Sequence, residues 1–219
     1  MQARMGSTRL PGKVLKPIGR LPLLGHVVGR LAMLRHPHRI LVATSTQAGD
    51  DAIVAWCDMQ NIACYRGSEI DVLIRYYEAA KLHGFDPVIR LTADNPFTDM
   101  DELDRLIDLH EAQNNDFTHS FAALPVGVGA EIFSFGALER SAREGHASHH
   151  REHVDEYMIE NPQLFKTATL AVSGPKNRPD IRLTVDTDED YRRACLIVER
   201  SAGPWPTTEE AIALCSHSA

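Results

Sequence analysis

Three groups of residues in this chain have types and spacings suited to chemistry. The first is the opening stretch from Gln2 to Lys13, QARMGSTRLPGK. Arg4, Arg9 and Lys13 supply three cations, Ser7 and Thr8 short hydroxyl donors, and Gly6 and Gly12 the freedom for close approach or positive φ. Pro11 stiffens the exit. A stretch with so little apolar bulk is a loop, and this composition brings backbone N–H groups and fixed cations up to a phosphate chain. Three positive charges offset most of a nucleoside triphosphate. The plainer alternative is a flexible basic tail, but tails seldom combine proline, two glycines and three cations so tightly.

The second group is acidic. Asp94 follows the apolar run PVIRLT and precedes Asn95-Pro96, and Asp186 ends RLTV. Mg²⁺ prefers one or two carboxylates together with phosphate oxygens and water, so two strand-end aspartates form a candidate metal pair. Asp99 and Asp101 spell a DxD pattern, although Asp99 is also well placed to cap a helix with Asp101 and Glu102 in its first turn. Asp188, Glu189 and Asp190 read the same way, as a helix N-terminus with Asp188 at the cap. Glu131, after a Gly-rich connector, is either a strand-edge surface carboxylate or a pocket residue.

The third group is His146, His149, His150 and His153, which share one face if the segment is helical. No carboxylate or cysteine stands beside them at a zinc-enzyme spacing, so a solvated or pocket-lining face is the expectation. His153 with Arg151 and Glu152 is placed to touch an anionic co-substrate.

These residues need a frame that brings strand ends together. Apolar runs at 39–44, 62–65 and 87–92 read as buried strands, alternating with helices over 22–34, 48–60, 71–83 and 100–113. That alternation means βαβ units around a mainly parallel sheet, which places ligands at the carboxyl ends of its strands. Ser68 and Asp94 each fall just after such a strand. Farther on, strands are expected at 116–120, 131–135, 165–172 and 181–185, and helices at 136–144, 151–160, 188–200 and 207–214. With 219 residues and no long linker, the chain reads as one α/β domain over 1–219, with 120–170 as a dimerisation or substrate excursion.

The formal charge of −7 argues against a nucleic-acid surface, because the basic opening stands against an otherwise acidic chain. No apolar run is long enough to span a membrane and no signal-peptide pattern is present. Cys57, Cys64, Cys195 and Cys215 show no CxxC pairing and read as reduced thiols of a cytoplasmic protein.

The opening loop resembles the N-terminal signature of the cytidylyltransferases that activate acidic sugars: the CMP-sialic acid and CMP-KDO synthetases, and above all the SpsF group of spore-coat polysaccharide biosynthesis. The likeness continues through VATST (42–46), YRGSE (65–69), RLTADNP (90–96), VGAEIFSF (128–135), REHV (151–154) and RLTVDT (182–187), in order along nearly the whole chain. It implies a Rossmann-like three-layer α/β/α sandwich of the nucleotide-diphospho-sugar transferase type, with a mixed, mostly parallel sheet and often a homodimer. It also implies that Arg4 and Lys13 act on the triphosphate, that Ala3, Ser68 and Thr92 lie near the nucleotide with Gly6, Ser7 and Arg9, and that Asp94 and Asp186 hold Mg²⁺ (or Mn²⁺). Contacts to the sugar acid would come from the 124–153 region, with Glu131, Arg151 and His153 as the candidates.

Three departures accompany the likeness. Relatives carry an apolar strand before QAR, where this chain has only Met1, so either the natural N-terminus is longer or the sheet lacks a strand under the loop. Asp188 stands where the group has a proline, and Thr92 where the sialic acid enzymes have glutamine. The expected reaction is attack of an acceptor hydroxyl on the α-phosphorus of CTP, with pyrophosphate leaving. The rivals are a GT-A glycosyltransferase using Asp99 and Asp101, and a non-catalytic nucleotide-binding protein of a glycan pathway.

Overall fold

The computed structural model describes residues 1–216. Its centre is a mixed sheet built around a very short element. β3 (Leu41–Ser45) and β4 (Ala63–Gly67) pair in parallel, and β7 (Glu131–Phe133) lies antiparallel between β5 (Val88–Arg90) and β6 (Phe117–His119). β8 (Thr167–Thr169) adds to β6 in parallel. The two halves do not bond to each other directly. They are joined by Met1–Ala3, for Gln2 bridges in parallel to both Ala43 and Thr92. Four backbone hydrogen bonds make this join, among them Ala43 N–H to Met1 O at 2.8 Å and Gln2 N–H to Leu91 O at 2.9 Å.

The opening loop therefore does hang from the middle of the sheet, on three residues. Below them, toward the opposite end of the sheet, an apolar cavity of about 410 Å³ lies between β3 and β5, walled by Leu41, Tyr76, Val88 and Ile89. It lies away from the loop.

Side-chain alternation along the strands creates the two helix layers. Ile132 packs on one face with Leu23 and Val27 of α1 (Leu23–Arg30), Leu103 and Leu106 of α4 (Met100–Gln113), Ile197 of α8 (Asp188–Arg200) and Ile212 of α9 (Thr208–Ser216). Phe133 faces the other way. It joins Phe117 and Val88 against Leu73 and Tyr76 of α3 (Val72–His83), Leu138 of α5 (Phe135–Glu144) and Met158 of α7 (Glu156–Glu160). A third cluster, including Val14, Leu24, Val42 and Ile53 of α2 (Asp51–Met59), supports the loop from beneath. A small hairpin, β1 (Pro17–Ile18) with β2 (Leu21–Pro22), leads from the loop into α1.

The second half departs from the sequence expectation in three places. The expected helix over 151–160 is two short ones, α6 (Ser148–Glu152) and α7, because His153 is extended and Val154 turns fully into the core. The four histidines consequently share no continuous helical face. The expected strand over 181–185 forms only a bridge. Ile181, Leu183 and Thr184 bond instead to Val126, and Val185 N–H reaches Asp94 O at 2.9 Å. Gly127 makes this close approach possible: its φ is +91°, and a Cβ there would meet Thr184 at 2.7 Å. The strand expected over 165–172 is confined to β8. Cys57, Cys64, Cys195 and Cys215 form no disulfide.

Candidate active site

The loop is shaped by two anchors. Met5 O accepts from Ser7 N–H (2.9 Å) and Gly12 N–H (3.1 Å), which folds the loop back on itself. Gly12, at φ +68°, turns the chain into the 3-10 turn Lys13–Leu15 and carries Lys13 into the interior. The second anchor is Asp50. Its carboxylate accepts from Met5 N–H (2.7 Å), Ser45 N–H (3.1 Å) and Ser45 Oγ (2.5 Å). Burial alone would raise the Asp50 carboxyl, but these donors outweigh it and hold it below the usual carboxylate range. Among the described residues, the N–H groups of Gly6, Thr8 and Arg9 have no intramolecular partner, which leaves them free to meet an anion.

Asp50→Ala would strand three donors that now meet one charge. A loss of about 2–4 kcal/mol is expected, measured by denaturant unfolding. Because the folded-state pKa is depressed, this stability is present above the unfolded carboxylate pKa and is lost as pH falls through the lower, folded value. Asp50→Asn should accordingly be destabilised near neutrality and show a flatter acid limb than the native protein.

Asp94 and Asp186 arrive from distant parts of the chain. The Val185–Asp94 backbone bond holds the two segments side by side, and Lys13 Nζ sits between the carboxylates. It donates to Asp94 Oδ2 (2.9 Å), Asp186 Oδ1 (2.8 Å) and Val185 O (2.8 Å). Thr92 Oγ1 orients Asp94 by donating to Oδ1 at 2.6 Å. Asp186 also meets Arg9 (3.3 Å) and Arg182. Its partial burial would raise its pKa, but hydrogen bonding and charge from Lys13, then Arg9 and Arg182, lower it, so it stays ionised. A cation already rests among three oxygens here. That hard-oxygen donor set suits Mg²⁺ or Mn²⁺. Above it, a cleft of about 250 Å³ is lined by the loop from Gln2 to Arg9, Lys13, Thr92, Asp94 and Asp186.

The cytidylyltransferase family model matches residues 1–215, essentially the whole chain. The chain belongs to the cytidylyltransferase family. It is 38% identical over 196 residues to the spore coat polysaccharide biosynthesis protein SpsF of Bacillus subtilis, covering 87% of this chain and 81% of that one. A solved cytidylyltransferase from Leptospira borgpetersenii superposes with a TM-score of 0.90 at 30% identity, covering 99% of this chain and 92% of the other. A more distant relative, 8-amino-3,8-dideoxy-manno-octulosonate cytidylyltransferase of Shewanella sp. strain W3-18-1, is 34% identical over 125 residues, 52% of this chain and 47% of that one. The three-layer α/β/α fold expected from the resemblance is the one observed.

Within this cytidylyltransferase, Ala3, Arg4, Gly6, Ser7, Arg9, Lys13, Thr92, Asp94 and Asp186 all border the one cleft. Ser68 does not. Its hydroxyl accepts from Asp71 N–H at the start of α3, and its carbonyl from Arg75. Glu131 is buried against Arg90, and burial pushes its carboxyl up to about 7 even against the pull of that guanidinium. Arg151 donates to Ala142 O (3.1 Å) and faces Asp71 (3.6 Å), tying α6 to its neighbours, while His153 is exposed.

Asp99 is a helix cap. It accepts from Glu102 N–H (2.9 Å), Thr208 Oγ1 (2.5 Å) and Lys176 Nζ (2.9 Å), and it is buried. Asp188 is not one: Thr187 caps α8, with Asp190 completing a capping box, so the acidic first turn starts one residue after the cap. His149 and His150 both reach Glu160, at 2.8 and 2.7 Å. Ala147 N–H donates to His150 Nδ1, which leaves that ring's proton on Nε2 for Glu160. The cluster reads as a tie between α6 and α7, with His150 Nε2 already committed to it. Asp50 and Arg182 are the contributors that residue spacing did not single out. An aspartate beside a helix start reads as a cap, and an arginine four before an aspartate as an ordinary surface pair.

Proposed function

We propose that this cytidylyltransferase transfers the cytidylyl group of CTP to a hydroxyl of an acidic sugar, releasing pyrophosphate, as a step in building a cell-surface polysaccharide. The observation that supports this most is the convergence of the cationic loop and the Asp94–Asp186 pair on one cleft. Free loop N–H groups, Arg4 and Arg9 would hold the β- and γ-phosphates and stabilise the leaving pyrophosphate. Asp94 and Asp186 would hold Mg²⁺ or Mn²⁺, which when bound neutralises phosphate charge and favours ionisation of the attacking hydroxyl. Positioning and charge compensation carry the reaction, since no side chain in the cleft is set as a dedicated general base.

The glycosyltransferase reading loses its metal site, because Asp99 is committed to Lys176, Thr208 and the α4 cap. Asp101→Asn, on the exposed side of that helix, should leave turnover unchanged. The test of the function is pyrophosphate release from CTP and Mg²⁺ with a panel of nonulosonic acids and 3-deoxy-manno-octulosonate, run beside UDP-sugars. Release of UDP instead of pyrophosphate would overturn it. No helix among the described residues is long and apolar enough to cross a membrane.

A further inference from the structure

One polar row crosses the sheet on the face that otherwise carries Val88, Phe133 and Phe117. The registers place Arg90 beside Glu131, Glu131 beside His119, and His119 beside Thr169. Residues two apart on an extended strand share a face, so Arg90 lies directly behind Thr92, which lines the nucleotide cleft. The row thus starts at the strand position behind a residue of that cleft, and His119 and Thr169 bring its far end toward the surface.

Three buried atoms of this row have no partner: Arg90 Nε, Glu131 Oε2 and His119 Nδ1. Leaving buried polar atoms unpaired is costly, so a row of three asks for an explanation. Arg90 Nη1 meets Glu131 Oε1, and His119 Nε2 meets Thr169 Oγ1 at 3.1 Å. Burial lowers the His119 pKa, which keeps the ring neutral and Nδ1 or Nε2 able to accept. Asp155, which makes no capping hydrogen bond at the start of α7, acts electrostatically on all three residues. His119 is held between Phe117 (5.3 Å) and Phe121 (5.7 Å), and Phe121 is half exposed, offering an aromatic face beside the row.

We propose that His119, with Glu131 and Arg90, is the specificity-determining subsite for the acceptor, and that it recognises a vicinal diol of the sugar. This rests on the function proposed above. One unpartnered acceptor (Glu131 Oε2), one unpartnered donor (Arg90 Nε) and His119 Nδ1, which donates or accepts according to the ring's tautomer, match two neighbouring hydroxyls, each of which donates and accepts. A carboxylate, which only accepts, would compete with Glu131 for the one guanidinium of the row and would face Asp155 beside it. The acid group of the sugar therefore points away from the row, toward the cations of the loop. Phe121 covers the apolar C–H face of the ring.

The test uses the full chain with saturating Mg²⁺ and CTP, and 3-deoxy-manno-octulosonate or N-acetylneuraminate as the acceptor. His119→Phe keeps the ring stack and removes both nitrogens. It should raise the acceptor KM about tenfold and leave the CTP KM within about twofold. His119→Gln, which restores a hydrogen-bonding end, should recover part of the loss. An acceptor O-methylated on one hydroxyl of the diol should lose about tenfold with the native protein and nothing further with His119→Phe. An unmoved acceptor KM in both variants, or a parallel rise in both KM values, overturns the subsite while the function stands. A native protein that binds Mg²⁺–CTP but releases no pyrophosphate with either sugar acid overturns the function, and the subsite with it.

Discussion

Asp94→Asn is expected to lower CTP- and Mg²⁺-dependent pyrophosphate release about a thousandfold or more while the chain stays folded. The substitution preserves shape and an acceptor oxygen for Thr92 Oγ1 and removes only the charge. In the folded protein that charge has two uses: it holds Lys13 Nζ at 2.9 Å and it faces the cleft. The first use is partly redundant, because Asp186 Oδ1 and Val185 O still hold Lys13. The Asp94 carboxyl is also partly open to solvent, which screens the pair further. Loss of stability should therefore stay near 1 kcal/mol, a shift of about 2–4 °C in Tm for a chain of this length. The second use has no substitute, since one remaining carboxylate cannot hold a divalent cation against the triphosphate in the same place. Near-native turnover by a folded Asp94→Asn protein would remove the metal assignment.

Much of this site was legible in the sequence because its signals are local. The loop announces itself by composition, and Asp94 and Asp186 by ending apolar runs. α4 runs from Met100 to Gln113 as its periodicity indicates, because Asp99 marks its start. What stayed hidden depends on contacts between distant residues. Lys13 bonds to partners 81, 172 and 173 residues away, and no spacing rule links a loop lysine to two distant segments. Asp50 stands beside a helix start, and nothing in its neighbourhood along the chain links it to Met5, 45 residues away, which hangs from it. The 181–185 run has strand chemistry, yet Val126 and Asp94 satisfy its backbone before a sheet can. The 151–160 segment has helical periodicity but breaks where burying Val154 outweighs one more turn. The polar row on the sheet was invisible for a related reason. Arg90 and His119 look like ordinary strand residues, and only the antiparallel insertion of β7 puts them on either side of Glu131.

Lys13→Met should show a different pattern from Asp94→Asn, and the difference isolates what the lysine does. Lys13 is nearly buried and neutralises two carboxylates that the fold has forced together. Removing it leaves Asp94 and Asp186 facing each other, with Arg9 and Arg182 compensating only Asp186. Without metal, a loss of about 2–3 kcal/mol is expected, below the usual cost of a broken buried pair because both carboxyls retain some solvent. The position vacated by Nζ is then an oxygen-lined gap between two unbalanced charges. Mg²⁺ at about ten times its dissociation constant would return about 1.4 kcal/mol, seen as a rise of about 3–6 °C in Tm. The native protein, whose carboxylates already have a cation, should show a much smaller Mg²⁺ shift in the absence of nucleotide. Pyrophosphate release should nevertheless stay at least a hundredfold down in the variant, because the cation that fixes the two cleft carboxylates relative to each other is gone. Equal Mg²⁺ shifts in the two proteins would mean that Lys13 does not occupy the cation position, and would make it a packing residue of the loop.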